Sequence, residues 1–221
     1  MAVPALALRR DLAAIDDERA VQQAAHVRMA RFGNDHRQAF MPQAGDHLGE
    51  APREITGFGI CRSFQIPQLF HSLSVRENLL VAEGIAAAER VEEATDALLE
   101  RFGLVQYAGQ AAGLLPEGVR KLLDVAMALV ARPKVLLLDE PTSGVAADEK
   151  FGIMDLVMTA VRGQGVTVLF VEHDMDIVAR YAARVVAFYD GRVIADGAPQ
   201  QVLGDAEVRR YVIGEEAHAA A

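Results

Sequence analysis

Downstream of residue 55 the apolar residues fall into two kinds of pattern. Val135-Leu-Leu-Leu138 and Val166-Thr-Val-Leu-Phe-Val171 are short, nearly unbroken apolar runs. Runs of that kind suit strands of a parallel sheet covered on both faces, where no polar alternation is needed. Phe151 to Val161 lies between them and reads as the crossover helix of a βαβ unit. Val185 to Tyr189, the turn Asp190-Gly191 and Val193 to Asp196 predict a hairpin. Upstream the period lengthens and three helices are expected. Ser74-Val-Arg-Glu77 is a capping box, so one helix starts at Val75. A second fits Val91 to Phe102 and is stopped by Gly103. Pro116 suits the first turn of a third, which runs to Ala131 and is ended by Pro133. From residue 55 the pattern is thus α/β, with a helical segment at about 72–131 ahead of the strands.

Before residue 55 the pattern weakens. Residues 4–32 carry helix-compatible apolar positions (Leu8, Leu12, Ile15), but the periodicity fades after Arg19. Residues 33–54 hold Gly33, Asn34, Pro42, Gly45, Gly49 and Pro52 with few large apolar groups and read as loop or disorder. The organisation expected is a partly helical or disordered segment over 1–54, a folded domain over 55–216, and a frayed tail over 217–221.

Composition narrows the possible partners. The chain has 221 residues, 52% of them hydrophobic, enough for a sizeable core. A net charge of −9 argues against broad binding to nucleic acid, which needs a basic face. A lone cysteine, Cys61, excludes an internal disulfide framework and favours a reducing compartment. The apolar runs are too short to span a bilayer, and Arg9, Arg10 and Asp11 stand where a secretory signal needs apolar residues. A cytosolic protein is expected, with any membrane role arising through a partner.

Ligands of open α/β sheets sit at the carboxyl ends of the strands. Two apolar runs here end in ionisable pairs, Asp139-Glu140 and Glu172-His173. A carboxylate there suits Mg²⁺, a second suits activation of water, and a neighbouring histidine can donate to a phosphate oxygen. Taken alone, such pairs serve equally as helix caps or solvated loop starts.

Their surroundings carry a resemblance. Val135-Leu-Leu-Leu-Asp-Glu-Pro-Thr-Ser-Gly144 resembles the Walker B strand and following loop of ABC transporter ATPases. Arg62-Ser-Phe-Gln-Ile-Pro-Gln-Leu-Phe70 looks like the Q-loop of that family. Leu115-Pro-Glu-Gly-Val-Arg-Lys121 stands at the place of the signature motif. Val171-Glu-His173 matches the H-loop strand, and Gly191 to Gly197 with Val202-Leu203 matches the closing hairpin and helix. The Ile-Pro-Gln-Leu-Phe ending of the Q-loop, the Leu-Pro-x-Gly signature and the stretch Arg209 to Glu215 are similar to ATPases of branched-chain amino acid, urea and amide importers. The resemblance implies a partial P-loop NTPase core of RecA-like, ABC ATPase type, carrying a small helical subdomain. It implies an ATPase coupling ATP binding and hydrolysis to uptake, with ATP and Mg²⁺ as cofactors. It also implies integral-membrane permease subunits and a second ATPase protomer as partners, no nucleic acid, and a place at the inner face of the cell membrane. By the same resemblance Asp139 would hold Mg²⁺ through its water shell and Glu140 would polarise the attacking water. His173 would contact the γ-phosphate, Gln65 would sense Mg²⁺ and the γ-phosphate, and Gly118 would offer amides to the nucleotide of the opposite protomer.

Several positions depart from the pattern. Pro116, Glu117 and Val119 replace the usual Ser, Gly and Gln of the signature, and Ala146 stands where Asp or Asn is common. The largest departure is the phosphate-binding loop, Gly-x₄-Gly-Lys-[Ser/Thr], whose amides and lysine cradle phosphates. The chain has three lysines, and Lys121 follows Arg120, Lys134 follows Pro133 and Lys150 follows Glu149, so no Walker A motif is present in these residues. Gly57-Phe-Gly59 is no dinucleotide loop either, since Arg62 occupies the third glycine position. Losing a lysine and several amides removes at least ~5 kcal/mol of phosphate binding, which takes a micromolar site beyond millimolar. Impaired hydrolysis is expected. The alternatives are a non-hydrolysing regulatory or interaction relative, or the product of a truncated or frameshifted gene. With no N-terminal strands visible, Val135–Leu138 and Val166–Val171 are expected to lack a covering layer.

Overall fold

The computed structural model describes residues 5–9, 58–85 and 91–214. At its centre β3 (Val135–Asp139) and β4 (Thr167–Glu172) lie parallel, with β2 (Ile60–Arg62) beyond β3 in the same direction. On the other side β5 (Arg184–Tyr189) and β6 (Arg192–Gly197) form the hairpin the sequence predicts. Asp190 and Gly191 both adopt positive φ, 48° and 72°, as a two-residue turn matching strand twist requires. The sheet order is β2-β3-β4-β1-β5-β6.

The strand β1 (Ala5–Arg9) is a departure from expectation. The segment containing Leu8 was read as helix-compatible, and its described part is extended instead. It pairs antiparallel with both β4 and β5, from Ala5↔Glu172 to Arg9↔Val168 on one side and Ala5↔Ala187 to Leu8↔Arg184 on the other. A weak helical pattern yields where two strand edges offer their hydrogen bonds together. The helical positions expected at Leu12 and Ile15, the loop expected over 33–54 and the tail expected over 217–221 lie outside the described residues.

The helices fall where the sequence places them. α1 (Val75–Ile85) opens on the capping box: Ser74 N donates to Glu77 Oε2 at 2.7 Å and Glu77 N donates to Ser74 Oγ at 3.2 Å. α2 (Val91–Arg101) stops before Gly103, whose φ of +65° is that of a glycine helix end. α3 (Glu117–Val130) begins one residue later than expected, with Pro116 at its cap instead of in its first turn. α4 (Lys150–Val161) is the crossover helix between β3 and β4. α5 (Met175–Tyr181) links β4 to β5, and α6 (Pro199–Gly204) and α7 (Ala206–Val208) follow the hairpin.

β3 and β4 do not lack a covering layer. Leu136, Leu138, Val168, Leu169, Phe170 and Val171 are all buried. α3 packs over β2 and β3, α4 packs on α3, and α5 covers β4 and β1. β1 closes the lateral gap that the sequence left open.

One buried amide ties the helical layer to the loop after β2. Asn78, fully buried on α1, donates from Nδ2 to the carbonyls of Ser74 (2.9 Å), Phe70 (3.1 Å) and Leu73 (3.3 Å). Its Oδ1 accepts from Phe70 N at 2.8 Å. Asn78→Ala takes the acceptor from Phe70 N and one of two donors from each carbonyl, which keep the backbone amides of Leu73, Ala112 and residue 78, and it empties a fully buried site. It is expected to lower stability by about 2–3 kcal/mol, read as a lower urea midpoint at unchanged slope.

Candidate functional site

Register fixes where the polar ends of the strands meet. Asp139 pairs with Val171, so β3 and β4 finish together and hand Glu140 and His173 to the same rim. Glu140 is held in an unusual backbone conformation, with φ of +48°. Its amide donates to Val171 O at 3.0 Å, and its carbonyl accepts from Ser143 N at 3.1 Å and from Lys121 Nζ at 2.9 Å. A non-glycine residue in this region costs of order 1 kcal/mol and persists where its surroundings over-determine it.

That conformation turns the Glu140 side chain across the sheet end. Its Oε1 lies 2.9 Å from His173 Nε2, and its Oε2 accepts from Gln65 Nε2 at 2.8 Å. Three of the residues expected at the site, Gln65, Glu140 and His173, therefore form one chain of hydrogen bonds. Asp139 is beside them and is committed elsewhere, to Arg62 Nη2 on β2 at 2.5 Å. Gly118 is not brought into this group: a Cβ built there would meet Ile153 Cδ1 at 3.0 Å and Val145 Cγ1 at 3.8 Å, so its surroundings are α4 and the loop after Glu140.

Beneath these side chains is a buried polar layer to which the motifs assign no role. Glu172, 3% exposed, accepts through Oε1 from Thr142 N (2.8 Å) and Thr142 Oγ1 (2.7 Å). It fixes the turn that follows Glu140. Asp124, on α3, accepts from Phe64 N at 2.9 Å and Gln68 N at 3.1 Å, one on each side of Gln65. Lys121, one turn earlier, reaches Gln65 O at 3.3 Å as well as Glu140 O. Burial pushes the Lys121 ammonium below its ordinary pKa, against the pull of Glu117, Glu172, Glu140 and Asp124. Burial likewise pushes Asp124 up, opposed by the two amides it accepts from and by Lys121. Arg62, Lys121, Asp124 and Thr142 are given no role by motif reading, and Glu172 enters it only as part of an ionisable strand end. A signal was present for two of them. Lys121 and Asp124 stand three apart among Leu122, Leu123, Val125 and Ala126, and polar groups on a buried helix face need partners.

The ABC transporter family model matches residues 22–143, starting upstream of the motif resemblance at residue 55 and ending in the loop after Glu140. The high-affinity branched-chain amino acid transport ATP-binding protein LivG of Escherichia coli is 31% identical over 188 residues, covering 76% of this chain and 73% of that one. A probable LivG of Methanocaldococcus jannaschii is 32% identical, covering 77% and 73%. The BraF protein of Pseudomonas aeruginosa is 31% identical, covering 77% and 74%. Among solved structures, an ATP-binding cassette of an ABC transporter in its ADP conformation superposes with a TM-score of 0.64 at 31% identity, covering 75% of this chain and 72% of that one.

Glu172 and His173, at the end of β4, carry different structural weight. Glu172→Ala strands the Thr142 amide and hydroxyl in the interior, and about 2–4 kcal/mol of stability is expected to go with them. His173→Ala removes a ring that is 44% exposed and is expected to cost under about 1 kcal/mol. Urea melts of the two variants check the contrast; equal losses would contradict it.

Proposed function

The chain belongs to the ABC transporter ATP-binding family, and within it we propose that it is a subunit of the branched-chain amino acid importer class whose own ATP binding and hydrolysis are impaired. The class rests on the likeness to LivG and BraF proteins, whose names place them in branched-chain amino acid transport. Permease subunits and a second ATPase protomer are the partners proposed, at the inner face of the membrane. Among the described residues no helix is long and apolar enough to cross a membrane.

The proposed roles follow the geometry of the rim. Asp139 and the side-chain oxygen of Gln65 offer the hard oxygen donors that Mg²⁺ takes, and Mg²⁺ usually relies on one or two carboxylates with water and phosphate. Glu140 is placed to orient and polarise a water, and His173, hydrogen-bonded to it, to donate to a terminal phosphate oxygen. Gly118, in the first turn of α3, is proposed to present its amide to the nucleotide of the opposite protomer.

These residues fit the metal and the terminal phosphate but not the rest of a triphosphate. The observation that supports the impairment is the sequence, which holds no Gly-x₄-Gly-Lys-[Ser/Thr], and among the described residues β1 does not lead into a cradle. A phosphate cradle is made by the chain as it leaves a strand at the site end and turns into a helix. β1 runs the other way: Ala5 is the residue paired with Glu172 at the site end, and Arg9 is paired with Val168, roughly 13 Å along the sheet at ~3.3 Å per residue. The lysines offer no substitute. Lys121 is buried on two backbone carbonyls, Lys150 is paired with Asp174, and Lys134 sits at the opposite end of β3, with its backbone amide donating to Gly59 O.

Titration of the protein with a fluorescent ATP analogue and Mg²⁺ tests this reading. Binding weaker than about millimolar and phosphate release at background are expected. Micromolar binding that Asp139→Ala abolishes would overturn it.

A further inference from the structure

Gln65 sits on a loop that buries Pro67 and packs Leu69 on the core while Gln65 itself stays at the surface. Gln65 is exposed, as are Phe64 and Ile66 on either side of it. The loop is held from beneath, by two side chains of one helix. Asp124, 6% exposed, accepts the amides of Phe64 and Gln68 and so grips the loop on both sides of Gln65. Lys121, 4% exposed, donates to the Gln65 carbonyl and to the Glu140 carbonyl, so one ammonium group bridges the two residues whose side chains bond each other. Neither side chain reaches the rim itself. Both end on backbone atoms.

We propose that Lys121 and Asp124 are positioning residues: a two-pronged clamp on α3 that sets Gln65 against Glu140 and holds Glu140 in its left-handed conformation. The proposal rests on reading Gln65 and Glu140 as site residues, as given above. Lys121 acts on both partners of the Gln65–Glu140 bond, and Asp124 on one. The other anchors of the Glu140 backbone are Val171 O and Ser143 N, and neither has a hydrogen bond to the loop around Gln65. β2–β3 pairing, Ser63 N donating to Leu137 O and the Arg62–Asp139 pair join the two segments upstream, and the clamp joins them at Gln65 and Glu140 themselves, so a rigid shift of α3 carries both ends of the bond together.

The two prongs predict different signatures in amide hydrogen exchange of the full chain, measured residue by residue without nucleotide. Asp124→Asn is expected to speed exchange at Phe64 and Gln68 at least about tenfold, since a bond to a charged acceptor is lost or weakened at each. It leaves the Glu140 amide unchanged. Lys121→Met is expected to speed exchange at Phe64 and Gln68 and also at Glu140, and Lys121→Arg, which keeps a buried donor, to restore the Glu140 rate toward that of the parent. In all three variants the amides of Leu136, Leu137 and Leu138 within β3 keep their rates. Equal acceleration across β3 would mean that these residues only support the core, and unchanged rates at Phe64 and Gln68 in both Asp124→Asn and Lys121→Met would mean that no clamp exists. Either result overturns the proposal. If Lys121→Met gives no cooperative melt, the near-isosteric Asp124→Asn decides it on the Phe64 and Gln68 amides alone. Because no nucleotide is present, this outcome is independent of the ATP titration, and the two readings can fail separately.

Discussion

The parallel pairing of β3 with β4 constrains everything at the rim of the sheet. The two strands share a register from Val135↔Thr167 to Asp139↔Val171, and β4 is buried along its whole length. A slip of one residue would turn every side chain to the opposite face, and because both faces are packed, groups such as Phe170 and Leu138 would have to enter spaces shaped for their neighbours. Misfits of that kind cost about 1–3 kcal/mol each, so the register is heavily defended. The positions of Glu140 and His173 are consequences of that register. No loop has to search for them: Glu140 N donates to Val171 O, and the two side chains meet as soon as the strands end.

Beneath the rim, buried charge is used to fix backbone. Ionised groups in an interior are costly unless their hydrogen bonds are met, and an ion pair placed there for stability alone often returns little. Here Glu172, Asp124 and Lys121 spend most of their hydrogen-bonding capacity on main-chain atoms of Thr142, Phe64, Gln68, Gln65 and Glu140. Those are the segments that carry the rim side chains. Hydrophobic replacements of similar volume would fill the same space and leave the loops unspecified. The arrangement is better explained by the need to define loop geometry than by a gain in net stability.

The strands, helices and hairpin were legible because their signals are local: unbroken apolar runs, the Ser74–Glu77 capping box, Gly103 and Asp190-Gly191. The rim residues were legible because strand ends are where ligand groups of such sheets gather. What stayed hidden depends on partners distant in sequence. Arg62 and Asp139 are 77 residues apart, and Lys121 and Gln65 are 56 apart. No periodicity reports such a pairing. β1 stayed hidden for a related reason: five residues of Ala and Leu ending in Arg suit a helix or a strand, and only the two vacant edges of β4 and β5 decide between them.

Strand direction separates what a substitution can restore from what it cannot. On the proposed reading, the shortfall in phosphate binding is one of chain path. A lysine introduced near Ala5 would bring a charge to the site end of the sheet, but not the run of amides and the helix start that must follow a strand to surround a phosphate. The groups that remain at the rim are meanwhile satisfied by one another. Gln65 and His173 occupy both oxygens of Glu140, and Arg62 neutralises Asp139. A cation or phosphate arriving there must displace bonds already made, and among the described residues no strand-to-helix loop compensates for their loss. On the proposed reading, the bonds that hold these side chains in place are the ones a ligand has to exchange.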